Sequence, residues 1–113
     1  MSLEFKQEDL FDHIYDFSGE ASVLAKGHNM PFICHLMRSI HMESAKILEK
    51  YPRYEVFIDN TEGDRLNILN FLSTLHDLTL SYYKMMPAEG LHMIRYIFEV
   101  VIAEIRNAMK SYG

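Results

Sequence analysis

Six histidines, eight methionines and one cysteine are spread over 113 residues, and they crowd most closely between His28 and Met42. Within that run Met30, Cys34, Met37 and His41 recur at i, i+4, i+7 and i+11, which is one face of a helix. A thiolate, two thioethers and an imidazole are the soft ligand set that suits Cu(I) or the edge of a haem. This face is therefore a candidate metal or haem site. The same spacing is also what a core stripe produces, because Met and free Cys behave as adaptable hydrophobes. Residues one turn apart stand about 5–6 Å from each other, so the four cannot converge on one ion without a second helix. Core packing is the simpler expectation, with no cofactor, and a soft metal or haem is the alternative.

His35 falls on the polar side of the same wheel, with Arg38 one turn on. An exposed imidazole beside a cation is what phosphoryl acceptance from a partner's aspartyl-phosphate requires: the nitrogen attacks and the cation stabilises the transferring group. His35-Leu36-Met37-Arg38-Ser39 resembles the His-x-Leu-Lys-Gly core of histidine phosphotransfer domains, which are acidic four-helix bundles of about this length. The resemblance implies His35 as phosphoacceptor, Arg38 as the cation and Ser39 as the small residue that admits the partner. Arg, Met and Ser stand where that core has Lys, Leu and Gly, and Ile40-His41-Met42-Glu43 replaces its run of small residues.

His76-Asp77 resembles the central dyad of HD-type metal phosphohydrolases, but no Asp follows Asp77 to complete that site. Glu89-x-x-His92 has the spacing of half a di-iron site, yet no second Glu-x-x-His occurs. There is no His-Glu-x-x-His, no Cys-x-x-Cys, no nucleophile elbow and no phosphate-cradling glycine loop. Cys34 and His35 are adjacent, so on a helix their side chains diverge by about 100° and form no thiolate–imidazole pair. Binding rather than catalysis is the expectation.

The elements that must position these residues are all helical. Leu3, Leu10, Ile14 and Phe17 predict an amphipathic helix of about fifteen residues. Ser18-Gly19 is expected to interrupt it, with two more turns over Glu20–Lys26 and Gly27 as a left-handed cap. Asn29-Met30-Pro31 predicts a new start with Asn as cap and Pro in the first turn. That helix runs to Lys50 and stops before Pro52, burying Met30, Ile33, Cys34, Leu36, Met37, Ile40, His41, Ala45, Ile47 and Leu48.

Pro52–Asp59 reads as a short helix or extended connector, or as a strand pairing between two copies. Thr61-x-x-Asp64 resembles a capping box for a helix from about Glu62 to Met86, buried through Ile68, Phe71, Leu72, Leu75, Thr79, Tyr82 and Tyr83. Pro87 breaks the chain before a last helix to about Lys110. Its buried stripe runs Leu91, Ile94, Ile97, Phe98, Val101, Ile102, Ile105, Ala108 and Met109. Arg95, Glu99 and Arg106 lie opposite at spacings that suit surface ion pairs. The expected fold is all-α and four-helix-bundle-like, one domain over 1–113 with three long helices plus a short one.

Composition narrows the function. The chain carries 11 Lys+Arg against 16 Asp+Glu, a balance that argues against nucleic acid or an anionic membrane surface as partner. The longest apolar run is the four residues Val100–Ala103, which predicts neither a spanning helix nor a secretory leader. A single cysteine suits a reducing, cytoplasmic compartment. Phe5, Tyr15, Met42, Tyr54, Phe57, Met93, Tyr96 and Val100 are left over as edge or surface apolar residues. Met93, Tyr96 and Val100 share one face of the last helix, and a second apolar stripe on a helix implies a second interface. A homodimer built on that face, or on Tyr54–Ile58, is expected of a regulatory or adaptor protein.

Overall fold

The computed structural model describes residues 7–52, 65–87 and 91–112. They form four helices, α1 (Gln7–Gly27), α2 (Pro31–Leu48), α3 (Arg65–Met85) and α4 (His92–Tyr112), with no strand among the described residues. The all-α, four-helix arrangement read from the sequence is the one found. The helices are of similar length, 21, 18, 21 and 21 residues. The expectations for Phe5, Pro52–Asp59 beyond its first residue, and Thr61–Asp64 lie outside the described residues, as does Glu89.

The first helix corrects the sequence reading. It continues through Ser18-Gly19 because the serine is satisfied inside the helix: its hydroxyl donates to the Ile14 carbonyl at 2.7 Å, and Ser22 donates likewise to the Gly19 carbonyl at 2.8 Å. Such back-bonding lets small hydroxyl residues sit in a helix interior. Ser18, Ala21, Ser22 and Ala25 are all buried, so this stretch is the face by which α1 approaches its neighbour.

Helix α1 runs through Gly27, which is itself helical, and the residue that closes it lies two positions further on. Asn29 takes the left-handed conformation at φ 59°. The Met30 N–H bonds back to the Ala25 carbonyl and the Asn29 N–H to the Lys26 carbonyl, the paired closure of a Schellman motif. Asn29 therefore closes α1 and does not cap α2, which starts at Pro31 with no side-chain cap. At the other end of α2 the same closure recurs on Glu49, at φ 57° and ψ 41°, with Lys50 N–H bonded to the Ala45 carbonyl.

Cross-links fix the helix directions. Lys50 Nζ donates to Asp12 Oδ1 at 2.7 Å and His41 bonds to Tyr15, so α1 and α2 are antiparallel. Arg95 reaches Tyr83 and Met86 while Arg106 reaches His76, so α3 and α4 are antiparallel too. Phe17 meets Tyr82, and His28 meets Phe71, at ring separations of 5.1 and 4.9 Å. These pairs set α3 antiparallel to α1. With α2 packed on α4, the four helices stand in a square in the order α1, α2, α4, α3, every neighbour antiparallel.

The core inside that square is Phe11, Ile14, Met37, Ile40, Leu72, Leu75, Ile94, Phe98, Val101 and Ile105, which follows the predicted stripes closely. Ile47 departs from them and lies exposed. Tyr15, expected at the surface, is buried, with its hydroxyl donating to the Tyr51 carbonyl at 2.6 Å and the Lys50 ammonium 5.4 Å from its ring centroid. The hydrogen bond to Asp12 holds the Lys50 pKa above its ordinary 10.5.

The left-handed backbone at Glu49 is a conformation that costs a side-chain-bearing residue roughly 1–2 kcal/mol and glycine almost nothing. Glu49→Gly is therefore expected to stabilise the fold by about 1 kcal/mol, seen as a higher urea midpoint at unchanged slope. A lower midpoint would mean that the Glu49 side chain contributes more than its backbone costs.

Candidate functional site

The residues singled out for chemistry separate into a buried set and an exposed set. Met30, Cys34, Met37 and His41 do share one face of α2, and all four belong to the interior. His41 is held by two contacts to α1. Its Nδ1 lies 2.8 Å from the Tyr15 carbonyl oxygen, and its ring lies against the Tyr15 ring, tilted by 31° with the centroids 4.2 Å apart. A carbonyl only accepts, so Nδ1 carries the proton and is not open to a metal. Among the described residues no group of three or more His, Cys, Asp and Glu could hold a metal ion.

His35 and Arg38 are exposed on the outer side of α2, as the wheel predicts. Ser39 turns its hydroxyl inward to the His35 carbonyl at 3.1 Å. His76 is half-buried on α3 between two partners. Arg106 Nε donates to its Nε2 at 3.0 Å, which leaves the proton on Nδ1, 3.3 Å from Asp77 Oδ1. The His76–Asp77 pair is thus part of an α3–α4 bridge, with its outer nitrogen occupied by a guanidinium.

On the outer face of α4 two large apolar side chains lie in the open, more exposed than those on the other described helices. Met93 is 61% exposed and Tyr96 65%. Val100, one turn on, is half-buried and packs in part on the core, while Ala103 and Asn107 continue the row in solvent. Helix α4 rests on α3 and α2, and this row points away from both.

The charges beside the row are arranged differently from expectation. Arg95, Glu99 and Arg106 bond across to α3 instead of along α4. Arg95 lies over the Tyr83 ring at 4.6 Å and donates to the Tyr83 hydroxyl and the Met86 carbonyl. The Tyr83 hydroxyl in turn donates to Glu99 Oε2 at 3.0 Å. Glu99 and Arg106 are thereby fixed along the α3-side edge of the apolar row. The i, i+4 rule considers one helix at a time, and only the antiparallel packing of α3 supplies these better partners.

Among the described residues, His28 Nδ1 and Ser44 Oγ are buried polar atoms without a hydrogen-bond partner, which the sequence does not foretell. Ser44 is fully buried on α2. Comparison with protein-family models, with curated proteins and with solved structures finds no match to this chain.

The buried face of α2 makes opposite demands at two positions. Met37→Ala opens a cavity in the core and is expected to cost about 2–5 kcal/mol. Ser44→Ala removes an unpartnered hydroxyl and is expected to be neutral or to stabilise by up to about 1 kcal/mol, since a buried unmade hydrogen bond costs about 1–3 kcal/mol. Urea unfolding of the two variants measures this; a loss from Ser44→Ala as large as from Met37→Ala would show that the hydroxyl has a partner in solution.

Proposed function

We propose that this protein is a helical binding module that associates with itself through the outer face of α4, acting as a regulatory or adaptor component and not as an enzyme. The observation that carries the reading is the open row of Met93, Tyr96 and Val100 on a helix whose other face already supplies the core. Covering Met and Tyr side chains gains about 25 cal/mol for each Å² of apolar surface removed from water, and aromatic and Met residues are enriched where interfaces form. No described helix is long and apolar enough to cross a membrane. A buried, unpaired Cys34 fits a reducing, cytoplasmic setting.

Met93 and Tyr96 are the most exposed members of the row, so charge can be introduced there without disturbing the core. Sedimentation equilibrium of the wild type is expected to give a dimer, and Met93→Glu with Tyr96→Glu a monomer of unchanged helical circular dichroism. A double variant that keeps the wild-type mass would remove this face from the interface.

The exposure of His35 beside Arg38 supports one second reading, phosphoryl acceptance at His35. Incubation with a small acyl-phosphate donor would then leave acid-labile phosphate on the wild type and none on His35→Gln. Equal labelling of both, or of neither, removes His35 from that role.

A further inference from the structure

We infer that two copies of this chain pair α4 against α4 in antiparallel orientation about a two-fold axis between Val100 and Ala103, locked by Glu99 of each copy against Arg106 of the other. The inference rests on the proposed self-association and adds its register and direction. The exposed row on α4 is Met93, Tyr96, Val100, Ala103, Asn107 and Lys110. Its spacing alternates three and four residues, the seam repeat of paired helices. On one edge of the seam lie Glu99 and Arg106, the two side chains tied to α3 through Tyr83 and His76. On the other edge lie Ile97 and Glu104.

A two-fold axis perpendicular to the helices brings each edge against its own copy. It therefore sets Glu99 opposite Arg106 of the second copy, twice by symmetry. A parallel pair would bring the two different edges together, and Glu99 would then face Glu104, a like-charge contact. Glu99 and Arg106 lie seven residues apart, about 10.5 Å along the axis, too far to satisfy each other within one chain. Both are exposed. Tyr83 donates to one Glu99 oxygen, and His76 takes one of the five donors of Arg106, so each group keeps capacity for another partner. Their tethers to α3 hold them in place in advance, which lowers the entropy cost of pairing.

The seam fits the same register. Val100 meets Ala103 of the second copy on both sides of the axis, and the small alanine permits close approach. Tyr96 meets Asn107, which offers an amide to the phenol, and Met93 lies along the aliphatic stem of Lys110, whose ammonium stays in water.

The test uses charge exchange and cross-linking in the full chain. Glu99→Arg and Arg106→Glu are each expected to weaken dimerisation roughly tenfold or more, since two attractive contacts become repulsive. The combined Glu99→Arg, Arg106→Glu chain restores the attraction, and with it dimerisation within a few-fold of wild type. In a Cys34→Ala background, Tyr96→Cys mixed with a tagged Asn107→Cys chain is expected to give the mixed disulfide in preference to either self-paired product. In a parallel pair those positions would be about 16 Å apart. Self-paired products alone, or no rescue by the combined exchange in chains that still dimerise, would overturn the antiparallel register and leave the α4 interface standing. A wild type that is monomeric throughout would overturn both.

Discussion

The bond from His41 to the Tyr15 carbonyl is the constraint on which the rest of the bundle depends. An imidazole buried in the core must find partners or lose on the order of 1–3 kcal/mol, and here α1, lying close beside α2, supplies the Tyr15 carbonyl to its Nδ1. That closeness is made possible by Ser18, Ala21, Ser22 and Ala25, which give α1 a face without bulk. The hydrogen bond then sets the axial register of the two helices, and the Tyr15 ring, tilted against the imidazole, is carried into the interior with it. Lys50, just past the end of α2, reaches Asp12 because that register holds. The hairpin so formed offers a single apolar surface, and the α3–α4 hairpin packs on it.

The second hairpin uses the same logic with different chemistry. Tyr83, Arg95, Met86 and Glu99 join the end of α3 to the start of α4, and His76 with Arg106 ties them two turns further on. These bonds are partly exposed, and each is worth little alone. Their consequence is directional. They draw Arg95, Glu99 and Arg106 toward α3, beside the exposed Met93 and Tyr96 side chains on the outer face of α4.

Much of this was legible in the sequence, because core stripes depend on periodicity and periodicity is local. The buried residues of α2, α3 and α4 follow from spacing, and the outward placement of His35, Met93 and Tyr96 follows from the same wheels. What was not legible depended on partners distant in sequence. Ser18-Gly19 reads as a break because serine and glycine have poor helix propensity; a hydroxyl bonded back to Ile14, and the need for a slim face against α2, override that preference. Gly27 reads as the left-handed cap on residue type, yet the turn to α2 places that conformation on Asn29. Tyr15 looks like a surface residue until the Tyr51 carbonyl is brought to its hydroxyl. The Met/Cys/His face reads first as a core stripe and second as a ligand set, and all four residues are buried, with the His41 Nδ1 bonded to a carbonyl.

We propose that the exposed stripe of α4 serves a second copy of the chain, while the soft residues of α2 serve the core. Native mass spectrometry of freshly purified protein, prepared without chelators, tests both halves at once. A species of twice the 13.3 kDa chain mass with nothing added is the expected result. A single-chain mass at every concentration would contradict the interface, and a mass above a whole number of chains would return Met30, Cys34, Met37 and His41 to the role of ligands.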